Sequence, residues 1–507
     1  MKSLRDLLAD VPVIDSHGSL DLPIAGLAYD SRRVVPGGLF VAISGFHVDG
    51  HSYVGQAIER GATAVLVAAD SWQREAPAGV TLVRVADSRT LLAPLAAAWY
   101  GYPGRHMPTI GITGTKGKST TTDLTAQLLD ACGRRSGMIS TVEFKIGPQR
   151  EPNKTRQSTP EAPEVQALLS DMLAAGCDIA VIEATSHALS AGWNRLGGCA
   201  FDVAVLLNIT HEHLDYHGSF AQYRADKARL FEMLGEAATP GERWAIVSAD
   251  DPNRHYFFDA APAAARRLSF GFAADADVRA EDVQLTPMGA HCRIVTPWGA
   301  REATLALPGR FNLGNSLAAV SIALTQGATL DTAITALAQV RAPRGRMQPV
   351  RCGQPFDVIV DYAHNPDSFE QVMSMLRPLT QGRMIAVFGS AGERDRAKRP
   401  LQGAIAARYC ELLVLTDEDP RGEDRAAIIA EIAAGAAQAG YHEGRDYLRI
   451  PDRAAAIRAA IDAAQPGDLI LLLGKGHEGN IIYADHILPW DEAAAAVAAL
   501  YERGYRE

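Results

Sequence analysis

Short apolar runs alternate along the chain with segments whose apolar residues recur at helical spacing. In the first part of the chain the runs GLFVAI and TAVLVAA flank the helical stretch YVGQAIERGA. Toward the C-terminus four apolar runs, within FDVIVDYAH, RMIAVFGSAGERD, CELLVLTDEDPR and GDLILLLGKGHE, are separated by helical segments. Runs of this length predict buried strands, and their alternation with helices predicts an α/β fold with mostly parallel sheets.

Two segments rich in glycine and proline, YGYPGRHMP and RAPRGRMQP, interrupt this pattern. A chain of 507 residues is also too long for a single hydrophobic core. We therefore expect three domains, covering residues 1–104, 105–342 and 343–507. The first would be a small α/β domain, the second would carry a central P-loop-type sheet, and the third would be a Rossmann-like α/β domain.

The segment GITGTKGKSTTT, residues 111–122, lies between an apolar run and a helical pattern. It departs from the common phosphate-loop pattern, which requires a glycine where this chain has Ile112. A glycine-rich turn between a strand and a helix nevertheless surrounds a phosphate with backbone N–H groups and the positive helix end. Lys118 would neutralise phosphate charge, and the Ser119 hydroxyl would bind Mg²⁺. An ordinary turn needs neither residue, so the segment predicts a nucleotide-binding loop.

Acids and histidines follow two further apolar runs, in DIAVIEATSH and FDVAVLLNITHEHLDYHG. Ligands of open α/β sheets bind beyond the carboxyl ends of the strands, although a strand end can also simply meet solvent. Glu183 suits Mg²⁺, while His213 could equally orient a phosphate or a water. Lys227, in the amphipathic stretch YRADKARLF, is by itself best interpreted as a solvated helix lysine.

The C-terminal section places arginines beside acids, in GERD and DEDPRGED. Arg394 and Arg421 could each grip a carboxylate through paired hydrogen bonds, and the acids could hold an ammonium group. A site with both properties would suit an amino acid. The segment GKGHE adds a glycine turn with an acid, although a plain loop is an equal alternative.

The composition excludes several classes of protein. A net charge of −10 and a pI near 5.8 argue against a nucleic-acid groove or an anionic membrane surface. No apolar run reaches membrane-spanning length, and the first residues lack the apolar core of a signal peptide. The six cysteines lie far apart without a C-x-x-C pair, which favours reduced thiols. We expect a cytoplasmic protein, and a monomer, without nucleic-acid or membrane partners.

These motifs, taken in order, resemble the Mur ligases, and among them the ligases that add a diamino acid to UDP-N-acetylmuramoyl-L-alanyl-D-glutamate. The resemblance runs along nearly the whole chain. DSRRVVPGGLFVAISGFHVDGH is similar to the family's uridine-nucleotide-binding domain, and GITGTKGKSTT is similar to its ATP loop, with the same glycine spacing. The other matching segments are STPE, EATSHAL, NITHEHLDYHG, YRADKARLF, GRFNLGN, RGRMQPV, DYAHNPDS, GERDRAKRP, DEDPRGED and GKGHE.

The resemblance implies a role for each matching residue. The catalytic and metal-site residues would be Lys118, Ser119, Glu183, His213 and Lys227, the last as a carbamate that supports a second Mg²⁺. ATP would be held by Gly114, Thr115, Lys116, Gly117, Lys118, Ser119, Thr120, Asn312, Arg346 and Asp361. The UDP-linked substrate would contact Ser31, His47, Ser158, Thr159, Thr185 and Arg195. The diamino acid would contact Arg394, Glu418, Asp419, Pro420, Arg421, Gly474 and Glu478.

The chain departs from the family pattern in three places. Lys116 stands where the family usually has asparagine. The stretch SHALSAGWNR is two residues longer than usual, which bears on the assignment of Arg195. The family's diaminopimelate signature is Asp-Asn-Pro-Arg, whereas this chain has Asp419 in place of the asparagine.

The implied reaction is ATP-driven amide formation through an acyl phosphate, with ATP as co-substrate and Mg²⁺ as cofactor. We expect meso-diaminopimelate as the diamino acid, with L-lysine or L-ornithine as the alternative. A folylpolyglutamate synthase would share the loop and the ligase chemistry, but it would not need the uridine-binding segment. A non-catalytic nucleotide-binding protein would not need Lys118, Glu183, His213 and Lys227 together.

Overall fold

The structure is a computed structural model that describes residues 2–45, 48–155, 157–210, 214–236 and 241–506. The chain forms two compact units, one of Met1–Arg279 with Leu317–Thr329 and the other of Ala280–Ser316 with Leu330–Glu507. His47 and His213, both predicted to be site residues, lie outside the described residues.

The first part of the first unit is a five-stranded sheet with helices on its faces. Its order is β2–β7–β6–β5–β4, parallel except for the edge strand β2. Leu39 and Val41 pack toward one face, and Phe40 packs toward the other. Its elements are β1 (Lys2–Ser3), α1 (Leu4–Leu7), β2 (Val13–His17), β3 (Pro23–Ile24), β4 (Leu27–Ala28), β5 (Gly38–Val41), α2 (Val54–Glu59), β6 (Ala62–Ala68), β7 (Thr81–Val85) and α3 (Ser88–Tyr100).

The rest of the first unit is built on a larger sheet. The order β9–β12–β8–β13–β14–β15 is parallel throughout, and the short strands β10 and β11 extend it antiparallel beyond β9. Its elements are β8 (Thr109–Thr113), α4 (Lys118–Ala131), β9 (Ser136–Ile139), β10 (Glu143–Ile146), β11 (Gln149–Pro152), α5 (Ala162–Ala174), β12 (Ile179–Glu183), α6 (Ser186–Leu189), β13 (Val203–Leu206), α7 (Leu214–His217), α8 (Phe220–Glu232), β14 (Trp244–Ser248), α9 (Arg254–Ala260) and β15 (Arg266–Gly271).

The register of this sheet brings three strand ends together. Glu183, the last residue of β12, pairs with Ile112 of β8, and Leu206 of β13 pairs with Thr113. The chain leaves the carboxyl ends of β8, β12 and β13 at one edge, with β8 between the other two. A ligand of a parallel sheet is expected at such an edge.

The second unit contains a six-stranded sheet of order β19–β20–β24–β21–β22–β23, in which all strands but β19 are parallel. β24, which comes last of these six strands along the chain, lies between β20 and β21. The polar segments that follow β20, β21 and β24 therefore lie at the same edge of the sheet, beyond the carboxyl ends of the strands. The elements that complete the chain are β16 (Val278–Thr286), β17 (Gly289–Thr296), β18 (Gly299–Leu305), α10 (Arg310–Thr325), α11 (Leu330–Leu337), β19 (Gln348–Pro349), β20 (Asp357–Asp361), α12 (Pro366–Leu376), β21 (Met384–Phe388), α13 (Lys398–Tyr409), β22 (Leu412–Leu415), α14 (Arg425–Gln438), β23 (Tyr447–Arg449), α15 (Arg453–Ala463), β24 (Leu469–Leu473), β25 (Asn480–Ile482), β26 (Ile487–Pro489) and α16 (Glu492–Glu502).

The predicted α/β class with mostly parallel sheets is confirmed. The apolar runs of the C-terminal section are β20, β21, β22 and β24, and all of them are buried. The domain boundaries at residues 104 and 342 stay predictions. Within the described ranges, no helix combines the length and the apolar character that a membrane crossing requires.

Candidate active site

The segment 114–117 forms the predicted turn between a strand and a helix. Gly117 has a φ of +87° directly before α4, a left-handed conformation that favours glycine. The turn is fastened to the end of β13 by Asn208, whose backbone carbonyl accepts from Thr115 N at 2.9 Å and whose side chain accepts from Lys116 N at 2.9 Å. Helix α4 therefore begins with its N-terminal N–H groups at the edge of the sheet, where they can meet a phosphate.

Two lysine side chains meet at this turn. Lys118 Nζ donates to Gly114 O at 3.0 Å and to Thr115 O at 3.0 Å, and Lys227 Nζ donates to the same Gly114 carbonyl at 2.8 Å. Lys227 is only 1% exposed and its ammonium lies 4.6 Å from the ring centre of Tyr223. The interpretation of Lys227 as a solvated helix lysine is therefore wrong. Two ammonium groups on one carbonyl concentrate positive charge beside the turn.

Glu183 supplies negative charge at the same edge. It is 2% exposed, and its Oε1 accepts from Ser119 Oγ at 3.1 Å. Its Oε2 accepts from Thr141 N at 2.8 Å and from Ser140 Oγ at 3.1 Å. Helix α4 and strand β12 thus bring a hydroxyl and a carboxylate together, as the sequence predicted.

The oxygen atoms of Ser119 and Glu183 fit Mg²⁺, which prefers hard oxygen ligands and keeps several of its sites for water and phosphate. In the part of the chain that the structure describes, no three His, Cys, Asp or Glu side chains form a metal-binding group. A Mg²⁺ ion held here would take the oxygens of Ser119 and Glu183 as ligands, together with oxygens of the nucleotide and of water.

Three of the residues assigned to the UDP-linked substrate lie beside Glu183. Thr159 Oγ1 donates to the backbone carbonyl of Glu183 at 2.7 Å and lies 3.1 Å from Thr185 Oγ1, and Thr185 caps helix α6. Arg195 Nη1 donates to Thr159 O at 3.2 Å. Ser158 precedes Thr159 in the chain. Ser31 lies in the first sheet domain, where its hydroxyl donates to Gln56 Oε1 at 2.6 Å.

Three buried side chains, those of Asp226, His217 and Ser186, form a row of hydrogen bonds beside Thr185 and Lys227. The sequence analysis gave these residues no role. His217 Nδ1 lies 2.6 Å from Asp226 Oδ2, and His217 Nε2 lies 3.0 Å from Ser186 Oγ. All three residues are buried. Because Asp226 precedes Lys227 and Ser186 follows Thr185, the row joins the helix of Lys227 to the start of α6.

In the second unit, the residues assigned to the nucleotide have firm positions. Both oxygens of Asp361, at the end of β20, accept backbone N–H bonds at 2.8 Å, from Met347 and Ala363. Burial raises the pKa of Asp361, and the nearby charge of Arg346 opposes that rise. The Arg346 guanidinium lies 4.7 Å from the ring centre of Tyr362. Asn312, in α10, donates to Pro308 O at 2.8 Å.

The segment assigned to the diamino acid is a cluster of buried charges after β22 and β24. Asp419 Oδ1 accepts from Lys475 Nζ at 2.8 Å and from Ile482 N at 3.0 Å. Lys475 is 0% exposed and also donates to Glu478 Oε2 at 2.6 Å. Sequence reasoning missed Lys475, although it lies inside the GKGHE motif.

Two further groups of this cluster have unused hydrogen-bonding capacity. Glu418 is 6% exposed, burial raises its pKa, and Oε2 finds no hydrogen-bond partner among the described residues. Gly474 (φ +99°) approaches this oxygen so closely that an added Cβ would lie 2.9 Å from it. Arg421, after Pro420, has a buried Nε that likewise finds no partner within the described ranges. Arg394 is exposed.

His477 also lies in this part of the second unit, and the sequence analysis gave it no role. Its ring centre is 4.8 Å from that of Tyr362. Burial, followed by the charges of Arg346, Arg344 and Lys475, lowers its pKa to about 3. The imidazole is therefore neutral at physiological pH, and it is too weak a base to deprotonate an amine efficiently.

Comparison with known proteins agrees with a class of enzyme that uses a phosphate loop and a separate amino-acid site to form an amide. Residues 112–323 match the Mur ligase middle domain, residues 345–476 match the Mur ligase glutamate ligase domain, and residues 23–100 match the Mur ligase family catalytic domain. The chain belongs to the Mur ligase family and is an ATP-dependent ligase.

Individual relatives extend over almost the whole chain. A UDP-N-acetylmuramyl-tripeptide synthetase from Roseiflexus sp. (strain RS-1) is 59% identical and covers 95% of both chains. A UDP-N-acetylmuramoyl-L-alanyl-D-glutamate–2,6-diaminopimelate ligase from Geobacillus thermodenitrificans is 40% identical over 99% of both. A solved structure of a ligase with that same name has a TM-score of 0.72, with 28% identity and 99% coverage of both chains.

Proposed function

We propose that this enzyme joins meso-diaminopimelate to UDP-N-acetylmuramoyl-L-alanyl-D-glutamate during peptidoglycan synthesis, with the cleavage of ATP. The observation that carries the proposal is the meeting of Lys118, Lys227, Ser119 and Glu183 at one edge of the sheet. Of these groups, Lys118 carries the positive charge that a transferring phosphoryl group requires, and Ser119 and Glu183 offer oxygen ligands to Mg²⁺. The names of the relatives supply the substrate class.

In the first step, a carboxylate oxygen of the D-glutamate side chain attacks the γ-phosphorus of ATP, and ADP leaves. Lys118 and the N-terminal N–H groups of α4 bind the phosphate oxygens and stabilise the charge that develops on them. Ser119 and Glu183 would hold Mg²⁺, which would neutralise further charge on the phosphate oxygens. The product is an acyl phosphate.

In the second step, a neutral amine of the diamino acid attacks the acyl carbon. Inorganic phosphate leaves with the bonding electron pair, and the new amide loses the extra proton of the amine. Two carboxylates of the second unit, the buried Glu418 and the half-buried Glu478, are suited to hold an ammonium group, and Arg421 is suited to hold a carboxylate.

We also propose that Lys227 is carbamylated. A neutral amine and CO₂ give a carbamate with release of one proton, which converts the cation into an anionic oxygen ligand. Two ammonium groups on the Gly114 carbonyl repel each other, whereas a carbamate on the buried Lys227 would attract Lys118.

The choice of diaminopimelate rests on Arg421 and Asp419. The distal end of diaminopimelate carries a carboxylate as well as an ammonium group, whereas lysine and ornithine carry the ammonium alone. Asp419 pairs with Lys475, so the partner that its carboxylate engages is this lysine and not Arg421. This supports recognition of a distal carboxylate at Arg421. L-Lysine and L-ornithine remain the alternative substrates.

The division of labour we propose follows the three predicted domains. Residues 1–104 would bind the UDP-linked substrate, 105–342 would bind ATP, and 343–507 would bind the diamino acid. Phosphate release from ATP, measured with the UDP-linked dipeptide and each of the three amines, tests the proposal. Release that requires the UDP-linked dipeptide and is greatest with diaminopimelate supports it, and release with a folate substrate instead would contradict it.

A further inference from the structure

A buried carboxylate joins two arginines in the first unit. Glu161 is the residue directly before α5, and it is 7% exposed. Its Oε1 lies 2.9 Å from Arg195 Nη2, and its Oε2 lies 3.0 Å from Arg89 Nη1. Arg89 belongs to α3, which none of the predicted site motifs includes. Each oxygen of the Glu161 carboxylate therefore contacts one guanidinium group.

Both guanidinium groups lie over the ring of Trp193, with Arg195 4.8 Å from its centre, but their hydrogen bonds differ. Arg89 uses its other nitrogens on the Ser44 carbonyl at 3.3 Å and lies 4.1 Å from the ring centre of Trp193. Arg195 donates to Thr159 O and is 8% exposed, but its Nε finds no hydrogen-bond partner among the described residues. A buried guanidinium N–H without a partner is costly unless a ligand satisfies it.

The charges of this cluster do not cancel. Two guanidinium groups share one carboxylate, which leaves one positive charge in a buried position. Burial lowers the pKa of Arg89, and the like charge of Arg195 contributes to the shift, although an arginine remains protonated in proteins. A buried surplus of positive charge is a site for an anion.

We infer that Arg89 is a positioning residue for the UDP-linked substrate. It neutralises Glu161, and the charge of Arg195 is thereby left for an anionic group of the substrate, a phosphate or a carboxylate. Without Arg89, Glu161 would pair with Arg195 alone and cancel its charge. This inference rests on the proposed function, because it takes the UDP-muramoyl dipeptide as the ligand.

The test is a charge-compensation experiment with three variants. Arg89→Met keeps an apolar side chain against Trp193 but removes the charge, Glu161→Gln removes the opposing charge, and the third variant combines both. We expect Arg89→Met to raise the KM for the UDP-linked dipeptide roughly tenfold, with the KM values for ATP and the diamino acid little changed. The double variant has the wild-type charge balance, and its KM is expected to return most of the way to the wild-type value.

A matched control is an exposed arginine outside the motifs of the site. Arg266 pairs with Glu242, with Nη1 2.7 Å from Oε1, and lies 4.3 Å from the ring centre of Trp244, but its side chain is 56% exposed. Arg266→Met should leave the KM for the UDP-linked dipeptide unchanged. The thermal unfolding midpoint of each variant, compared with that of the wild type, shows whether a change in KM comes from a loss of fold.

Two results would overturn the inference. One is an unchanged KM in Arg89→Met. The other is a double variant as impaired as Arg89→Met, which would mean that Arg89 serves the fold and not the charge balance. If instead the wild-type enzyme releases no phosphate with the UDP-linked dipeptide, the proposed function itself fails and this inference fails with it.

Discussion

The ammonium group of Lys475 lies 2.8 Å from a carboxylate oxygen of Asp419, at a position without solvent exposure. The same ammonium lies 2.6 Å from Glu478. A buried cation between two carboxylates fixes all three side chains, because removal of one partner would leave an unpaired buried charge. Asp419 is therefore engaged by Lys475, and the Arg421 guanidinium is the group that we propose for the distal carboxylate of the diamino acid.

This relationship gives a prediction about the diamino acid. Because Asp419 pairs with Lys475 and Arg421 can bind a distal carboxylate, we expect diaminopimelate to win a competition with lysine and ornithine in the wild-type enzyme. Asp419→Asn should use diaminopimelate at least as well, since an amide oxygen can still accept from Lys475. Product analysis by mass spectrometry gives the preference directly. A wild-type preference for ornithine or lysine that switches toward diaminopimelate in Asp419→Asn would identify Asp419 as the selector and overturn the choice.

A second prediction concerns the phosphate-binding turn. Lys118→Ala should abolish ATP turnover, because the ammonium that would neutralise the γ-phosphate is lost. The fold should persist, since the Lys118 side chain contacts the turn itself, at Gly114 O and Thr115 O. Phosphate release and the thermal unfolding midpoint measure the two effects separately. Turnover close to the wild-type rate would refute the role of Lys118.

How much of this site was predictable depends on the kind of signal. The turn at 114–117 was predictable, because a strand, glycines, a lysine and a hydroxyl in sequence are a local pattern. The meeting of Ser119 and Glu183 was predictable from the rule that ligands bind beyond the carboxyl ends of parallel strands. Asn208 fastens the turn from another strand, and only the order of β8 and β13 in the sheet reveals that contact.

Burial was the property least accessible from sequence. Lys227 has the sequence pattern of a solvated helix lysine. In the structure its side chain is buried, and its ammonium group donates a hydrogen bond to Gly114 O. Lys475 stands in a glycine-rich segment that is equally typical of a plain loop, and the sequence does not show that Asp419, after β22, lies against it. The pair of Arg89 and Glu161 joins residues far apart in the chain, and no local pattern signals it.

A third prediction addresses the carbamate on Lys227. Lys227→Ala should lose activity and recover part of it with added short carboxylates, which can occupy the vacated anionic position. Lys227→Arg should remain inactive, because a guanidinium stays cationic and does not form a carbamate. Mass spectrometry under native conditions with bicarbonate should detect the added CO₂ in the wild type. An active arginine variant would contradict the carbamate.

The last prediction concerns the stability of the second unit. Arg453 and Glu492 form an ion pair in which neither side chain is exposed, with Arg453 Nη2 2.6 Å from Glu492 Oε1. The same guanidinium donates to the carbonyl of Asp417 at 2.8 Å and to that of Leu473 at 2.7 Å. Asp417 is the first residue of DEDPRGED, and Leu473 directly precedes GKGHE. Breaking such a pair from one side leaves a buried charge uncompensated. The pair therefore matters to the fold and to the position of the site.

Glu492→Gln should accordingly lower the free energy of unfolding by about 3–5 kcal/mol, as measured by denaturant titration of the intact chain. Asp21→Asn is the matched control, because it breaks the exposed pair of Arg5 and Asp21, with side chains 60% and 71% exposed, and should change little. In the folded fraction, Glu492→Gln should also raise the KM for the diamino acid more than that for the UDP-linked dipeptide, since the released arginine no longer holds the carbonyls before Glu418 and Gly474. Equal stability of Glu492→Gln and the wild type would show that the pair is no stronger than a surface contact.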